Sequence, residues 1–168
     1  MNIVSMPEQT WAFLEGQSAM TPRSISAALA SAFDDVNRRI TAGDIRTAGA
    51  PCAHYRTCTG TELHFEIGIP INPDDAEAAR KTGLSIGETF KGEALVHIHR
   101  GPYAQLGNAY REMQKDLHAK GLRGRDDLWE VYLNDPNACP SADLLTQILW
   151  PVASAGSSSG ASEYRGIS

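Results

Sequence analysis

Two apolar stripes at helical spacing constrain this chain more than any other feature. The first opens at Met20-Thr21-Pro22, where Thr21 can cap the helix and Pro22 takes its first position. Ile25, Leu29, Phe33, Val36 and Ile40 then recur at intervals of three and four until Gly43 closes the pattern. The second opens at Gly101-Pro102, carries Tyr103, Leu106, Tyr110, Met113 and Leu117, and stops at Gly121. A stripe this wide needs an apolar surface to cover it, and extended segments bounded by Gly, Pro and Asn/Asp supply one. They are Thr10–Glu15, Cys52–Cys58, Leu63–Ile71, Glu93–His99, Leu128–Leu133 and Leu144–Val152. A polar connection over 73–90 joins the halves, with a short helical turn predicted at Asp75–Lys81.

In order, the chain reads β-α-β-β, connector, β-α-β-β. The halves can be overlaid: Pro22 is followed by Pro70 after 48 residues, and Pro102 by Pro151 after 49. Tyr55 and Tyr132 fall 33 and 30 residues after the same prolines. The expected fold is therefore α+β: duplicated β-α-β-β units forming an antiparallel sheet, with two helices on one side. A central pocket is expected at the pseudo-two-fold axis, between helices and sheet.

Composition narrows the function classes. The sequence has 168 residues and a formal net charge of −5. Residues 1–152 are expected to form a single domain and 153–168, a Ser/Gly-rich stretch, a disordered tail. In a sequence of this length a separate DNA-binding module beside that domain is not expected. Mild acidity argues against direct binding to a phosphate backbone, which needs a basic face. No apolar run approaches the roughly 20 residues of a membrane span. The opening MNIVSMPEQTW lacks the basic and apolar regions of a secretory signal. Cys52 and Cys58 are too far apart on an extended strand to pair, and Cys139 stands alone, so a cytoplasmic location is expected. His97 and His99 share a strand face without a third ligand at suitable spacing, so neither a metal nor a cofactor is expected. No G-x-S-x-G, S-x-x-K or phosphate-loop pattern occurs.

Three elements occur in a fixed order: His99-Arg-Gly-Pro-Tyr103, then Glu130-Val-Tyr132-Leu-Asn-Asp135-Pro136, then Thr146-Gln-Ile-Leu-Trp-Pro-Val152. With the helix between the first two, they resemble the GyrI-like domain family. The same SOUL-like fold serves as effector-binding domain in AraC-type and MerR-type multidrug-responsive regulators. The resemblance covers about 10–152. It implies the duplicated β-α-β-β fold and a central pocket lined by aromatic side chains. It also implies an acidic residue on the strand Leu128–Leu133, which here is Glu130.

Glu130 shares a strand face with Leu128 and Tyr132. A carboxylate on so apolar a strand is costly to bury unless a cation or a donor meets it. A ligand cation could be that partner, with aromatic faces adding cation–π attraction of about 0.5–2 kcal/mol. A structural arginine such as Arg56 or Arg100 is the bland alternative. Overlay of the halves places Ala53 at the position equivalent to Glu130, so the acid occurs once, read here as an off-axis charge. Candidate aromatic walls are Tyr132, Trp150, Tyr55, Trp11 and Phe90, whereas Tyr103 and Tyr110 are expected to pack on the sheet. His54 is expected to be exposed, and His64 and Glu66 to lie on a solvated side.

The leading expectation is a stand-alone protein that binds an amphipathic, cationic or aromatic small molecule, for sequestration or sensing. One alternative is a hydrolase of strained cyclopropane-bearing DNA-alkylating toxins, with Glu130 as general base. Another is a protein-interaction role such as gyrase inhibition. A protein partner or a homodimer stays open.

Overall fold

Local signals set the two long helices as the sequence predicts. The computed structural model describes residues 1–153, so the expectation of a disordered tail falls, but for residue 153, outside the described residues. Helix α1 (Pro22–Ala42) starts where the Ser24 amide donates to Thr21 Oγ1 at 3.2 Å, and it ends at Gly43. Helix α2 (Ala76–Lys81) is the short turn of the connector. Helix α3 (Leu106–Ala119) is shorter than its stripe, because Tyr103–Gln105 forms a 3-10 turn before it. Gly121 follows with φ +65°, the left-handed conformation that ends helices and that glycine adopts at least cost.

Eight strands make one sheet: β1 (Asn2–Met6), β2 (Thr10–Ala19), β3 (Cys52–Cys58), β4 (Glu62–Pro70), β5 (Ser85–Glu88), β6 (Gly92–Arg100), β7 (Leu128–Tyr132) and β8 (Leu145–Pro151). Every pairing is antiparallel, in the order β1-β6-β8-β7-β3-β4-β2-β5. Read from either edge, β6-β8-β7 mirrors β2-β4-β3, so the duplication is built into the sheet and the halves meet at β3·β7. The edge strands β1 and β5 were not expected. Each precedes one half in sequence and pairs with the other half, β1 with β6 and β5 with β2, which braces the halves together.

The helices cover one face of this sheet. Ile25 and Val36 of α1 and Leu106, Tyr110, Met113 and Leu117 of α3 join Tyr55, Ile67, Leu95, Leu128, Ile148 and Trp150 in one core cluster. Each fully buried Leu, Ile or Met there stabilises the fold by about 2 kcal/mol. The opposite face holds a second, smaller cluster of Trp11, Cys52, Ala94, Trp129 and Leu149. A register shift between Tyr55 and Thr57 places a bulge in β3. It lets Tyr55 and Cys58, three positions apart, both join the helix-side core. Among the described residues no helix is long and apolar enough to cross a membrane, and all three cysteines are free.

Candidate functional site

Glu130 lies at the middle of the sheet, on the helix-covered face, and is 3% exposed. Its backbone partners are Ala53 on β3 and Ile148 on β8. Ala53 is also the equivalent position in the other half, so the two counterparts face each other across the seam. The carboxylate therefore sits at the pseudo-two-fold axis rather than off it, and the small Ala53 side chain leaves it space.

Two tyrosines converge on the same oxygen. The Tyr132 hydroxyl donates to Glu130 Oε2 at 2.6 Å, and the Tyr55 hydroxyl donates to it at 3.0 Å. The hydroxyls are 3.3 Å from each other. Tyr132 shares the face of Glu130 two residues along β7, and Tyr55 arrives from the other half across β3·β7. Burial pushes the Glu130 carboxyl up to about 7, while the hydrogen bonds from Tyr132 and Tyr55 favour its ionised form and oppose that shift. Burial, reinforced by the nearby carboxylate, raises the Tyr132 phenol well above its ordinary range. The structural-arginine alternative fails: Arg56 pairs with Glu15 and Glu66, and Arg100 with Asp143. Among the described residues no Lys, Arg or His lies within ion-pair distance of Glu130, so its charge is met only by hydroxyl dipoles.

Sequence reasoning set Tyr103 aside and gave Phe33 no role beyond its stripe, yet both belong here. The Phe33 ring of α1 meets the Tyr132 ring edge-on at 5.3 Å, and the Tyr103 ring meets it at 5.6 Å and 73°. Tyr103 is 37% exposed, because the 3-10 turn lifts it off the stripe and over Tyr132. Its place in the H-x-G-P-Y element was the available signal. Thr146 was also missed as a site residue. It pairs with Tyr132 on β8 and is fully buried, with a hydroxyl that has no hydrogen-bond partner among the described residues.

The other candidate walls separate. Trp150 is on the helix-side face, but its indole N–H donates to the Arg125 carbonyl at 3.0 Å, which commits its polar edge to the core. Trp11 and Phe90 belong to the opposite face, so neither can meet Glu130 through the sheet. Trp11 stacks on Phe13 at 4.7 Å and tilts onto Trp129. Phe90 borders a cavity of about 120 Å³ with Cys52, Trp129 and Val131. That cavity is apolar and lies on the far face from the carboxylate, so it is not the candidate site. Among the described residues no grouping of His, Cys, Asp and Glu could hold a metal ion.

His54 corrects another expectation. Its Nδ1 lies 2.8 Å from Glu66 Oε1 and its Nε2 2.9 Å from Asp127 Oδ2, and its ring stacks on Trp129 at 4.1 Å. The His54, Glu66 and Asp127 side chains are only 15%, 12% and 14% exposed. Strand parity placed His54 and Glu66 correctly on the outer face, but that face is not open there.

The family model of the GyrI-like small molecule binding domain matches residues 1–153. No curated protein matches the chain by sequence. Among solved structures, the C-terminal domain of EcmrR superposes with a TM-score of 0.74 at 16% identity, over 90% of this chain and 96% of that one. SAV2435, solved with tetraphenylphosphonium bound, gives 0.64 at 11% identity, over 90% and 93%. A hydrolase from Listeria innocua gives 0.62 at 14% identity, over 90% and 91%. At such identities the likeness is one of fold.

Proposed function

Because the chain belongs to the GyrI-like small molecule binding domain family, we propose that it captures amphipathic organic cations at Glu130, for sequestration or sensing. The observation that carries this reading is a buried carboxylate with no cationic partner among the described residues, bonded to Tyr132, whose ring meets those of Phe33 and Tyr103. Ionising it in the empty protein is costly, and a ligand cation would offset that cost while Tyr132, Tyr103 and Phe33 supply aromatic faces. Entry would require the partly exposed Tyr103 ring to swing aside. SAV2435, a protein of like fold, was solved with an organic cation of this kind, which supports the choice of probe.

The test is calorimetric titration with tetraphenylphosphonium, whose charge does not depend on pH. With a carboxyl at about 7, the ionised fraction grows about 30-fold between about pH 5.5 and 8, and affinity should follow it. Glu130→Gln should bind weakly with no pH dependence. Equal affinity at both pH values, or an unchanged response in the variant, would overturn the proposal.

The same carboxyl supports a second reading. A general base titrating near neutrality could activate water to open a strained ring, with Tyr132 or Tyr55 donating to the developing anion. Turnover of a cyclopropane-bearing alkylating agent, lost in Glu130→Gln, would favour it. Binding of such compounds without product would favour capture.

A further inference from the structure

The seam between the halves carries a second polar arrangement, back to back with the first. On β3, Tyr55 turns toward the helices and donates to Glu130, while its neighbour His54 turns to the outer face. On β7, Glu130 turns inward, while its neighbour Trp129 turns outward beneath the His54 ring. His54 and Trp129 are direct backbone partners, as are Tyr55 and Leu128. The chain thus places the imidazole and the buried carboxylate on opposite sides of one four-residue ladder.

The outer cluster joins both halves. His54 on β3 and Glu66 on β4 come from the first half, and Asp127, just before β7, from the second. Both ring nitrogens face carboxylate oxygens, which only accept when ionised, so both nitrogens must carry protons for both bonds to form. The remaining charged groups around them are Arg56, 3.9 Å from Glu66 and 3.6 Å from Glu15 of β2, and Arg125, 2.9 Å from Asp127. Deprotonation of His54 removes one of the two donors and leaves Glu66 or Asp127 without its bond to the ring. No other ion pair of the described residues joins β3 to the chain entering β7.

We propose that His54 is a positioning residue for the Glu130 site: as an imidazolium it clamps β3 to β7, and on losing its proton it loosens the ladder that holds Tyr55 against Glu130. Burial opposes the charge on His54, but the hydrogen bonds and charges of Asp127 and Glu66 outweigh it and hold the ring above its ordinary 6.5. A raised histidine contributes fully below about 6.5 and loses its contribution as pH rises through its folded midpoint. The clamp is therefore closed below about 6.5 and opens as pH rises through the folded midpoint, which lies above that value. Its bearing on ligand capture rests on the function proposed above, but the clamp can be tested without ligand.

Amide hydrogen exchange of the wild-type protein, corrected for intrinsic rates, should show protection of the β3–β7 ladder falling about tenfold across the His54 midpoint. That midpoint is located independently by NMR of the ring, and β6–β8 should show no such step. His54→Arg keeps a planar, permanently charged donor set and should remove the step while retaining protection. His54→Gln should show low protection at every pH and a Glu130 carboxyl titrating higher than in wild type. No step in wild type, or an equal step in β6–β8, overturns the clamp. So does a step that survives in His54→Arg. Loss of cation binding with these ligand-free results intact would instead overturn the function and leave the clamp standing.

Discussion

Replacing Glu130 by Gln keeps the side chain's shape and its acceptor for the two tyrosines while removing the charge. In the folded wild-type chain the carboxyl is raised from an ordinary 4.5 to about 7. The folded state therefore holds a proton that the unfolded state has already released between those values. Stability from this group is complete below about pH 4.5, falls as pH rises toward 7, and is level above it. At about 1.4 kcal/mol per pH unit, the loss amounts to about 3 kcal/mol. The glutamine variant has no such dependence. It carries an amide N–H₂ that needs an acceptor in a site built from donors, which costs about 1 kcal/mol at all pH values. Relative to wild type, it should be less stable by about 1 kcal/mol near pH 4.5 and more stable by about 2 kcal/mol near pH 8. Urea unfolding followed by tryptophan fluorescence at several pH values measures both curves. Their difference reports Glu130 together with its coupling to His54, the direct titration of His54 being present in both chains. A difference that stays flat across that range would refute the buried, unpaired carboxylate from which the function is argued.

Tyr132→Phe removes the 2.6 Å bond that favours the ionised carboxylate. Its Glu130 should titrate above the wild-type midpoint and its affinity for an organic cation at neutral pH should fall several-fold, both readable by carboxyl ¹³C NMR and calorimetry. Thr146→Val removes a buried hydroxyl without a partner among the described residues. It should raise unfolding stability by about 1 kcal/mol in urea melts. Cys52 is 3% exposed and burial pushes its thiol up to about 12. At about pH 8 it should stay unmodified by iodoacetamide until the protein unfolds, as mass spectrometry of the digested protein would show.

The helices and the central strands were determined by local sequence. Thr21-Pro22, Gly43 and Gly121 mark helix ends through capping and backbone freedom, and the stripes between them repeat at the helical period. Strand β3 is legible over its full range because Pro51 and the Thr-Gly turn after Cys58 bound a β-prone run. The edge strands β1 and β5 escaped notice because their short segments alternate weakly. They become strands only by pairing with β6 and β2, residues far away in sequence.

For the site, the sequence by itself determined that Glu130 and Tyr132 share one face of an apolar strand, since side chains alternate with a period of two. It could not say which residues of other strands share that face, because cross-strand register is a tertiary quantity. Register brought Tyr55 to Glu130 and set the carboxylate on the axis. It sent Trp11 and Phe90 to the opposite side, although aromatic type alone had grouped all of them. The fold likewise turned His54 from an expected surface histidine into the centre of a charged cluster, with one carboxylate coming from 73 residues away. Periodicity is written into the chain residue by residue. A charge's partners depend on which strands lie side by side, and that is decided only when the two halves close against each other.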